Sequence, residues 1–392
     1  MKAYPVITVK PREGRRARNG APWLFSNEIV MSDAAKALVP GTMVNVVGDD
    51  GQALGTGYFN PRSLIAVRLM ARSADVVIDA GFFVRAFIRA QKIRTTLIGV
   101  PYYRLINAEG DGLPGLTIDL FGETVVVQIA TAGMELLKDH IVAALEQVFS
   151  PTAILLRADM PARSLEGLEL YVREAKGTCG RIEVVENDVR YYANLSAGQK
   201  TGWYYDQRET RAFVARLAKG RSLLDAYCYC GGFALAAAKS GASEVTGIDS
   251  SGPAIALASE AAAAGKLSAK FIEADAMAML QEWGNGKERF DVVVADPPPF
   301  VKSRKDVEVG AKAYRKLAKL AAAVTAPEGY LVLASCSHNM PADRFAFECA
   351  AGIQRAGRVG RQIYAAGAGF DHPIHPMLAE SSYLKAFVFA LD

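Results

Sequence analysis

The segment LVLASCSHNM at 331–340 places a cysteine, Cys336, directly after a short apolar run. Such a run predicts a buried strand, so the thiol would lie where that strand leaves its sheet. Another apolar run ends in Asp296, within ADPPPF. A thiolate can add to an electron-poor carbon, and a nearby carboxyl group can stabilise the charge that develops. Alone, Cys336 is more readily explained as core; with Asp296 beside it, we predict a nucleophile.

Three further strand ends carry residues suited to an adenosine-containing cofactor. In DAYCYCGGF, Gly231 and Gly232 open a predicted helix, where a missing Cβ lets a ligand approach the backbone. The next strand ends in Asp249, an acid placed to accept hydrogen bonds from both ribose hydroxyls. The strand after it leads into Asp275 and Ala276, where an adenine edge would lie. Paired glycines alone more often mark tight packing, but three such signals in register favour this cofactor.

The other motifs of this region indicate which adenosine-containing cofactor is bound. From residue 187 onward the chain has neither G-x-G-x-x-G nor the P-loop G-x-x-x-x-G-K-[ST]. ADPPPF instead resembles the signature of S-adenosylmethionine (SAM)-dependent methyltransferases that act on nucleobases. There Asp296 offers an acceptor, the prolines stiffen the loop and Phe300 offers a stacking face. A rigid strand-to-loop turn is the plainer interpretation of the prolines. With the adenosine-type residues alongside, we expect SAM.

Strands and helices alternate strictly in this last region. The predicted strands are RSLLDAYCY, EVTGIDS, AKFIEAD, FDVVVAD, YLVLASC, RQIYAA and LKAFVFAL. The alternation predicts a parallel sheet covered by helices on both faces, with ligands at the carboxyl ends of the strands. The strand before Cys336 follows the strand before Asp296. We therefore expect the thiol and the carboxylate side by side at one rim. Methylation of C5 of a pyrimidine requires such a pair, because addition of a thiolate at C6 makes C5 nucleophilic.

The other cysteines are predicted to pack. Cys228 and Cys230 form C-x-C within the first strand of this region, with no second Cys/His pair at zinc spacing. Cys349 falls in a helical pattern and Cys179 in a glycine-rich connector. No metal site is predicted.

The rest of the chain differs in character. Residues 1–73 alternate short β-type runs with turns, which predicts a small β-rich barrel, and residues 75–185 mix helical and strand patterns, which predicts a small α+β domain. The first 73 residues carry ten Lys/Arg against five Asp/Glu, whereas the whole chain is only +4. This basic excess indicates a polyanion-binding module or, equally, a solvated basic face.

Composition excludes several classes of protein. Hydrophobic residues make up 51% of the chain and charged residues 22%, as in ordinary globular proteins. No run approaches the roughly 18 apolar residues of a membrane span, and MKAYPVITVK lacks the apolar core of a signal peptide. Five scattered cysteines do not form a disulfide framework. We expect a cytoplasmic protein.

Two loops are candidates for contact with a substrate. The run KSRK, directly after the DPP loop, contains Lys302, Arg304 and Lys305, which could bind phosphates, although most such runs are only solvated. His372 lies in GFDHPIHP between the sixth and seventh strands, on the expected substrate side. A structured proline-rich turn explains that histidine equally well.

The chain resembles the bacterial 23S rRNA (cytosine-5) methyltransferases that begin with a PUA RNA-binding domain. The resemblance covers nearly the whole chain. It rests on NGAPWLFSNEI, YRLINAEGDGLPGLTIDLFG, QKTGWYYDQRETR, the DxxxxxGGF element, DPPPF and the SCS element. It implies a PUA-like RNA-binding domain at 1–73, an α+β middle domain at 75–185 and a class I (Rossmann-like) methyltransferase domain at 187–392. The fold class is therefore α/β, with a small β-rich and a small α+β domain before it.

The resemblance, together with the patterns above, assigns roles to individual residues. The catalytic pair is Cys336, matching the family's nucleophile, and Asp296. Residues expected to bind the cofactor are Gln199, Lys200, Thr201, Tyr205, Asp206, Arg208, Asp225, Ala226, Tyr227, Cys228, Gly231, Gly232, Asp249, Ser250, Asp275, Ala276, Asp296 and Pro297. Residues expected to contact RNA are Pro298, Phe300, Lys302, Arg304, Lys305 and His372. The implied partner is 23S rRNA, with no membrane or metal; a homodimer is left open.

The chain departs from the usual patterns at two places. Tyr227 and Tyr229 stand at the first two glycine positions of the common methyltransferase loop, a feature that the family largely shares. Pro299 stands where the family usually has lysine. Two other functions are compatible with these residues: methylation of an exocyclic nitrogen of a base, with Cys336 passive, and non-catalytic RNA binding in ribosome assembly. The intact set of Asp249, Asp296 and Cys336 argues against the second.

Overall fold

The computed structural model describes residues 4–198 and 201–392. These form two compact units of similar size. The first contains residues 4–180, 194–198, 201–203 and 370–381, and the second contains residues 181–193, 204–369 and 382–392. No described helix is both long enough and apolar enough to cross a membrane.

The first unit begins with a five-stranded sheet in the order β1-β3-β4-β5-β2. Its strands are β1 (Val6–Thr8), β2 (Trp23–Phe25), β3 (Thr42–Val47), β4 (Ala53–Phe59) and β5 (Ile65–Ala71). Two short helices, α1 (Arg15–Arg18) and α2 (Asp33–Lys36), and a 3₁₀ turn (Ser26–Glu28) connect them. The two edges meet where Val9 bridges Ile29, with Lys10 donating to the carbonyl of Glu28. This sheet is the predicted β-rich domain.

A second five-stranded sheet follows, in the order β10-β9-β8-β7-β6. Its strands are β6 (Tyr102–Asn107), β7 (Leu116–Phe121), β8 (Thr124–Ile129), β9 (Ala153–Ala158) and β10 (Tyr171–Lys176). Its helices are α3 (Ala80–Leu97), α4 (Ala132–Leu136), α5 (Lys138–Phe149) and α6 (Ala162–Leu165), with a 3₁₀ turn at Ala108–Asp111. Helix α3 begins where the Asp79 carboxylate accepts the Phe82 N–H, and its buried Phe83 and Phe87 lie one turn apart.

The second unit is built on a seven-stranded sheet in the order β15-β14-β13-β16-β17-β19-β18, preceded by a two-stranded hairpin. The hairpin strands are β11 (Arg181–Glu186) and β12 (Val189–Asn194). The sheet strands are β13 (Ser222–Ala226), β14 (Glu244–Asp249), β15 (Lys270–Glu273), β16 (Phe290–Ala295), β17 (Thr325–Ser335), β18 (Gly360–Ala366) and β19 (Lys385–Leu391). Apolar side chains are buried on both faces of this sheet.

Six described helices accompany these strands; the last five lie where the sequence predicts helices, and the first was not predicted. They are α7 (Arg208–Ala218), α8 (Gly232–Lys239), α9 (Gly252–Gly265), α10 (Ala276–Asn285), α11 (Val307–Val324) and α12 (Ala342–Arg355). Short 3₁₀ turns lie at Tyr205–Gln207, Arg304–Asp306 and Ala379–Ser381. Ser251 caps α9 and Asp275 caps α10, each accepting a backbone N–H three residues on.

The prediction of a wholly parallel sheet was wrong for one strand. Strand β19 runs antiparallel to both β17 and β18, between which it is inserted. Parallel neighbours need a crossover, usually a helix, whereas residues 367–384 contain only a 3₁₀ turn. The chain therefore turns back beside its own preceding strand.

The first sheet strand is also shorter than predicted. It ends at Ala226, so Cys228 and Cys230 lie in the turn before α8 rather than within a strand. Tyr227 and Tyr229 have φ angles of 68° and 49°, which extended backbone cannot adopt. Both cysteines are nevertheless buried, as a packing role requires.

Candidate active site

The carboxyl ends of four neighbouring strands carry the predicted chemistry. Strand β13 pairs in parallel with β14 and β16, and β16 with β17, so that Ala226 is level with Ala295 and Ala295 with Leu333. Asp296 therefore follows its strand at the same rim at which Cys336 follows β17. The prediction that these two strands are neighbours is confirmed.

The loop after β13 has three left-handed residues at alternate positions. Gly231 has a φ of 79°, next to the positive φ angles of Tyr227 and Tyr229. The tyrosines thus keep the backbone shape of the glycines they replace, at a cost of order 1–3 kcal/mol each. A Cβ on Gly231 would come within 3.1–3.2 Å of Phe271 and Ala258. Gly231 is thus required by backbone shape and by packing.

Two carboxylates lie at the ends of the outer strands. Half-buried Asp249 accepts the N–H groups of Tyr229 and Ser251, each at 2.9 Å, so it fixes the loop beside it. Exposed Asp275 accepts the Ala278 N–H through Oδ1 at 2.8 Å. Neither set of bonds uses all the acceptor positions of a carboxylate. Ser250 is exposed and Ala276 is buried.

Asp225 is a buried acid at the end of β13. Its Oδ2 accepts the Ala234 N–H at 2.9 Å, and its Oδ1 has no hydrogen-bond partner among the described residues. Burial raises the pKa of this carboxyl to about 8, with smaller contributions from the charges of Asp296 and Asp249. The unpartnered oxygen of Asp225 suits a ligand that can hydrogen-bond to it, and the carboxylates of Asp249 and Asp296 nearby suit a cation; SAM has hydroxyls and a positive charge. The residues present therefore fit this cofactor.

The segment QKTGWYYDQR, expected to shape the cofactor pocket, lies partly in the first unit and partly in the second. Gln199 and Lys200 lie outside the described residues. Thr201 is buried in the first unit, where its hydroxyl donates to the Trp203 carbonyl.

In the second unit, the remainder of this segment leads into α7. The Asp206 carboxylate accepts the hydroxyl of Tyr383, and the Arg208 guanidinium lies 3.8 Å from Glu186 and 5.3 Å from the ring of Tyr205. These contacts tie the segment to the end of β11 and to the residues just before β19.

Gln207 belongs to the segment expected to shape the cofactor pocket, although no individual role was predicted for it, and it contacts a predicted site residue. Its Nε2 donates to Oδ2 of Asp296 at 3.0 Å, while its Oε1 is buried without a hydrogen-bond partner among the described residues. Asp296 is half-buried and Pro297 is buried. The amide thus orients the carboxylate of the DPP loop. The only sequence signal for it was its place within a segment already assigned to the cofactor.

The two serines around Cys336 explain how the thiol is positioned. The hydroxyl of buried Tyr314 lies 2.8 Å from Oγ of both Ser335 and Ser337. Ser337 Oγ also accepts the N–H of Val301 at 3.2 Å. One tyrosine hydroxyl therefore joins the loop after β16 to the loop after β17. Sequence reasoning missed Tyr314, because a tyrosine inside a helical pattern has no distinguishing signal.

Exposure separates Cys336 from the other cysteines. Cys336 is half-buried, whereas the other four cysteines are buried. Burial raises the pKa of Cys228 well above its usual value and that of Cys230 to about 12. Burial does the same for Cys349, and it raises the pKa of Cys179 to about 11. These four thiols stay protonated at neutral pH, as packing residues do.

The predicted RNA-contacting residues fall into two groups. Pro298, Lys302, Arg304 and Lys305 are exposed in the second unit. Phe300 is half-buried, because its ring packs on Tyr314 with centroids 4.8 Å apart.

His372 belongs to the first unit and is only 4% exposed. Its Nδ1 lies 2.7 Å from the Asp371 carboxylate, which also accepts the Arg104 N–H. The structure thus places this histidine in a buried polar network. No group of three or more His, Cys, Asp or Glu residues in the described chain is placed to hold a metal ion.

The strand order of the second unit, with its antiparallel seventh strand and acids at successive strand ends, defines a class I SAM-dependent methyltransferase. The S-adenosylmethionine-dependent methyltransferase family matches residues 173–360, and the PUA-like domain family matches residues 7–72. A protein of Shewanella frigidimarina named ribosomal RNA large subunit methyltransferase I is 36% identical over 97% of this chain and 98% of its own. A protein of Pseudoalteromonas atlantica with the same name is 34% identical over 97% of this chain and 98% of its own. The chain belongs to this family.

Solved structures agree with this fold. A SAM-dependent methyltransferase of Streptococcus mutans is 22% identical, with a TM-score of 0.81 over 98% of this chain and 100% of its own. A methyltransferase crystallised with S-adenosylhomocysteine is 21% identical, with a TM-score of 0.83 over the same shares.

Proposed function

We propose that this enzyme methylates C5 of a cytosine in 23S rRNA through a covalent adduct between Cys336 and C6 of the base. The observation that carries the proposal is the position of Cys336. It is partly exposed and lies directly after β17, which pairs with the strand that leads into Asp296. The name shared by its relatives supports large-subunit rRNA as the substrate. Action on rRNA also supports a cytoplasmic location.

The reaction begins with the thiolate of Cys336. Its electron pair forms a bond to C6, and the π electrons of the C5–C6 bond move towards C5, with charge shared by the ring. SAM, when bound, would supply an electrophilic methyl group for the electron pair at C5, with S-adenosylhomocysteine as the leaving group. A base then takes the C5 proton, the electrons left behind restore the C5–C6 double bond, and the S–C6 bond breaks to regenerate the thiolate.

Asp296 is the group proposed to stabilise the charged ring. Its Oδ2 accepts a hydrogen bond from Nε2 of Gln207 at 3.0 Å, which restrains the carboxylate. A carboxyl group near N3 of the cytosine can share a proton with that nitrogen while the adduct exists. We expect Asp296→Asn to lower the rate by about 10²–10⁴-fold, the range for general acid–base groups.

RNA affinity is proposed to come largely from the first unit. The exposed arginines Arg12, Arg15 and Arg16 belong to the basic N-terminal region that matches the PUA-like domain. Such residues neutralise phosphates without reading sequence. The loop of Lys302, Arg304 and Lys305 would add contacts beside the reacting base.

The substrate is tested by mass mapping of rRNA nucleosides. A strain lacking the protein should lose one 5-methylcytidine from 23S rRNA, and the purified enzyme with SAM should restore it. Loss of an N-methylated base instead would establish the other chemistry. Unchanged rRNA would overturn the assignment of the substrate. Light scattering on the same preparation distinguishes a monomer from a homodimer.

The adduct is tested with RNA containing 5-fluorocytidine at the target. Because fluorine cannot leave as a proton, the wild-type enzyme should form a protein–RNA band that survives a denaturing gel. Cys336→Ala should abolish band and activity, whereas Cys349→Ala, which removes a thiol buried in α12, should retain both. An active Cys336→Ala enzyme would refute the thiolate mechanism and favour N-methylation.

A further inference from the structure

Lys385 is a buried cation next to the segment that carries the proposed nucleophile. It is the first residue of β19 and lies directly across from Ser335 on β17. Its side chain is largely buried, with the residue 8% exposed. The ammonium donates to the carbonyl oxygens of Ser337 at 2.8 Å and Met340 at 2.9 Å. It therefore lies against the turn that begins immediately after Cys336.

A lysine at this position is costly for the fold. The other six residues of β19, AFVFAL, are apolar. Burial of an ammonium among such residues disfavours its charge. Burial lowers the pKa of Lys385 to about 8, and the charge of Cys336 acts in the opposite direction. Below that pH the amine is mostly protonated, so a positive charge remains beside Cys336 at neutral pH. Two hydrogen bonds to a turn do not by themselves require a full charge.

Two described tyrosines and two described carboxylates near Cys336 do not supply a positive charge. The hydroxyls of Tyr204 and Tyr314 each interact with Cys336, and burial raises the pKa of both, so they stay neutral. The Asp206 and Asp296 charges also reach Tyr204, so the neighbourhood contains carboxylates that oppose a second anion. His338, two residues on, is exposed and stacks on Tyr383 at 5.0 Å.

We propose that Lys385 is a positioning residue that keeps Cys336 as a thiolate, through its charge, and holds the 337–340 turn, through its two hydrogen bonds. The proposal rests on the proposed role of Cys336 as nucleophile. It adds a function for the antiparallel strand: the reversal of β19 brings its first residue, rather than its last, to the catalytic rim. An opposite charge within about 4–6 Å shifts such a titration by one to three pH units.

The test measures how fast iodoacetamide alkylates Cys336 as a function of pH. The four buried cysteines react slowly in the folded protein, and Cys336→Ala gives the background rate. We expect Lys385→Met and Lys385→Gln to move the midpoint of this profile upward by about one unit or more, with at least a tenfold lower rate of adduct formation at pH 7. Gln keeps a donor but no charge, and Lys385→Arg keeps the charge and should restore the wild-type midpoint. Lys319→Met, at an exposed position on α11, is the matched control.

A folded Lys385→Gln variant whose alkylation midpoint matches the wild type would overturn the proposal, as would an Arg variant that behaves like Gln. Circular dichroism and thermal melting establish folding, and if Met does not fold, Gln decides. Failure of the proposed function has a different signature. In that case Cys336→Ala retains methyl transfer, whereas the alkylation midpoint still reports whether Lys385 acts on the thiol.

Discussion

Tyr314→Phe should damage both stability and catalysis, although it removes a single oxygen atom. The ring contacts remain, because Phe keeps the packing against Phe300 and Phe345. The substitution removes the two 2.8 Å hydrogen bonds to the hydroxyls of Ser335 and Ser337, and all three side chains are buried. At about 1 kcal/mol for each buried hydrogen bond, the free energy of unfolding should fall by about 2 kcal/mol. If the whole 2 kcal/mol is lost from the arrangement that joins the two loops, the fraction of molecules with that arrangement falls by up to about 30-fold.

The assay pairs urea unfolding with the rate of adduct formation on 5-fluorocytidine RNA. Tyr330→Phe is the matched control: Tyr330 lies on β17, the strand that ends at Ser335, and its ring keeps its contact with Arg221. We expect the control to stay within about 0.5 kcal/mol of wild type. A Tyr314→Phe enzyme with wild-type stability and an unchanged rate of adduct formation would show that the hydroxyl does not couple the two loops.

Three further outcomes are expected. Asp249→Ala should weaken SAM binding by about 2–3 kcal/mol, measured by calorimetry, because an acceptor for the ribose is lost and the loop bonds go with it; unchanged affinity would place Asp249 outside the pocket. Asp225 holds a proton in the native state up to about pH 8, whereas the unfolded carboxyl releases it near pH 4. The protonated Asp225 therefore stabilises the fold less and less as pH rises between these values. Asp225→Asn keeps an acceptor for the Ala234 N–H but cannot titrate. Its urea midpoint should therefore decline less from pH 5 to pH 8 than that of the wild type. Alanine at both Arg12 and Arg15 should weaken RNA binding and reduce its salt slope by up to about two, without changing SAM affinity; an unchanged slope would mean that neither contacts phosphate.

The sequence predicted the parts of the second unit that follow from periodicity. Apolar runs such as FDVVVA became strands and the alanine-rich patterns became helices, so the strand ends at Asp249 and Asp296 could be located in advance. Periodicity does not encode strand direction, and the reversal of β19 follows only from the short connection before it. Nor does it show where a backbone turns left-handed, which is why Cys228 was placed in a strand.

The supporting residues of the candidate site were harder to predict than the two proposed to react. Cys336 and Asp296 could be predicted because a thiol and a carboxyl group directly follow apolar runs. Tyr314 lies in the middle of α11, and Lys385 begins an apolar strand, where a lysine usually marks a solvated strand end. Their roles depend on partners 21 to 48 residues away in the chain. His372 shows the converse, since a residue of catalytic type proved to be buried in the first unit.

The seam between the edges of the first sheet restricts how that domain can meet a partner. Around the Val9–Ile29 bridge, backbone groups of Thr8 and Lys10 are already bonded to Val30 and Glu28. A partner cannot extend this sheet by adding a strand there, because the hydrogen-bonding groups it would need are taken. At this seam, recognition of a partner must use side chains and loops. A substitution that broke the seam would expose unpaired backbone groups there, to which another strand could bind.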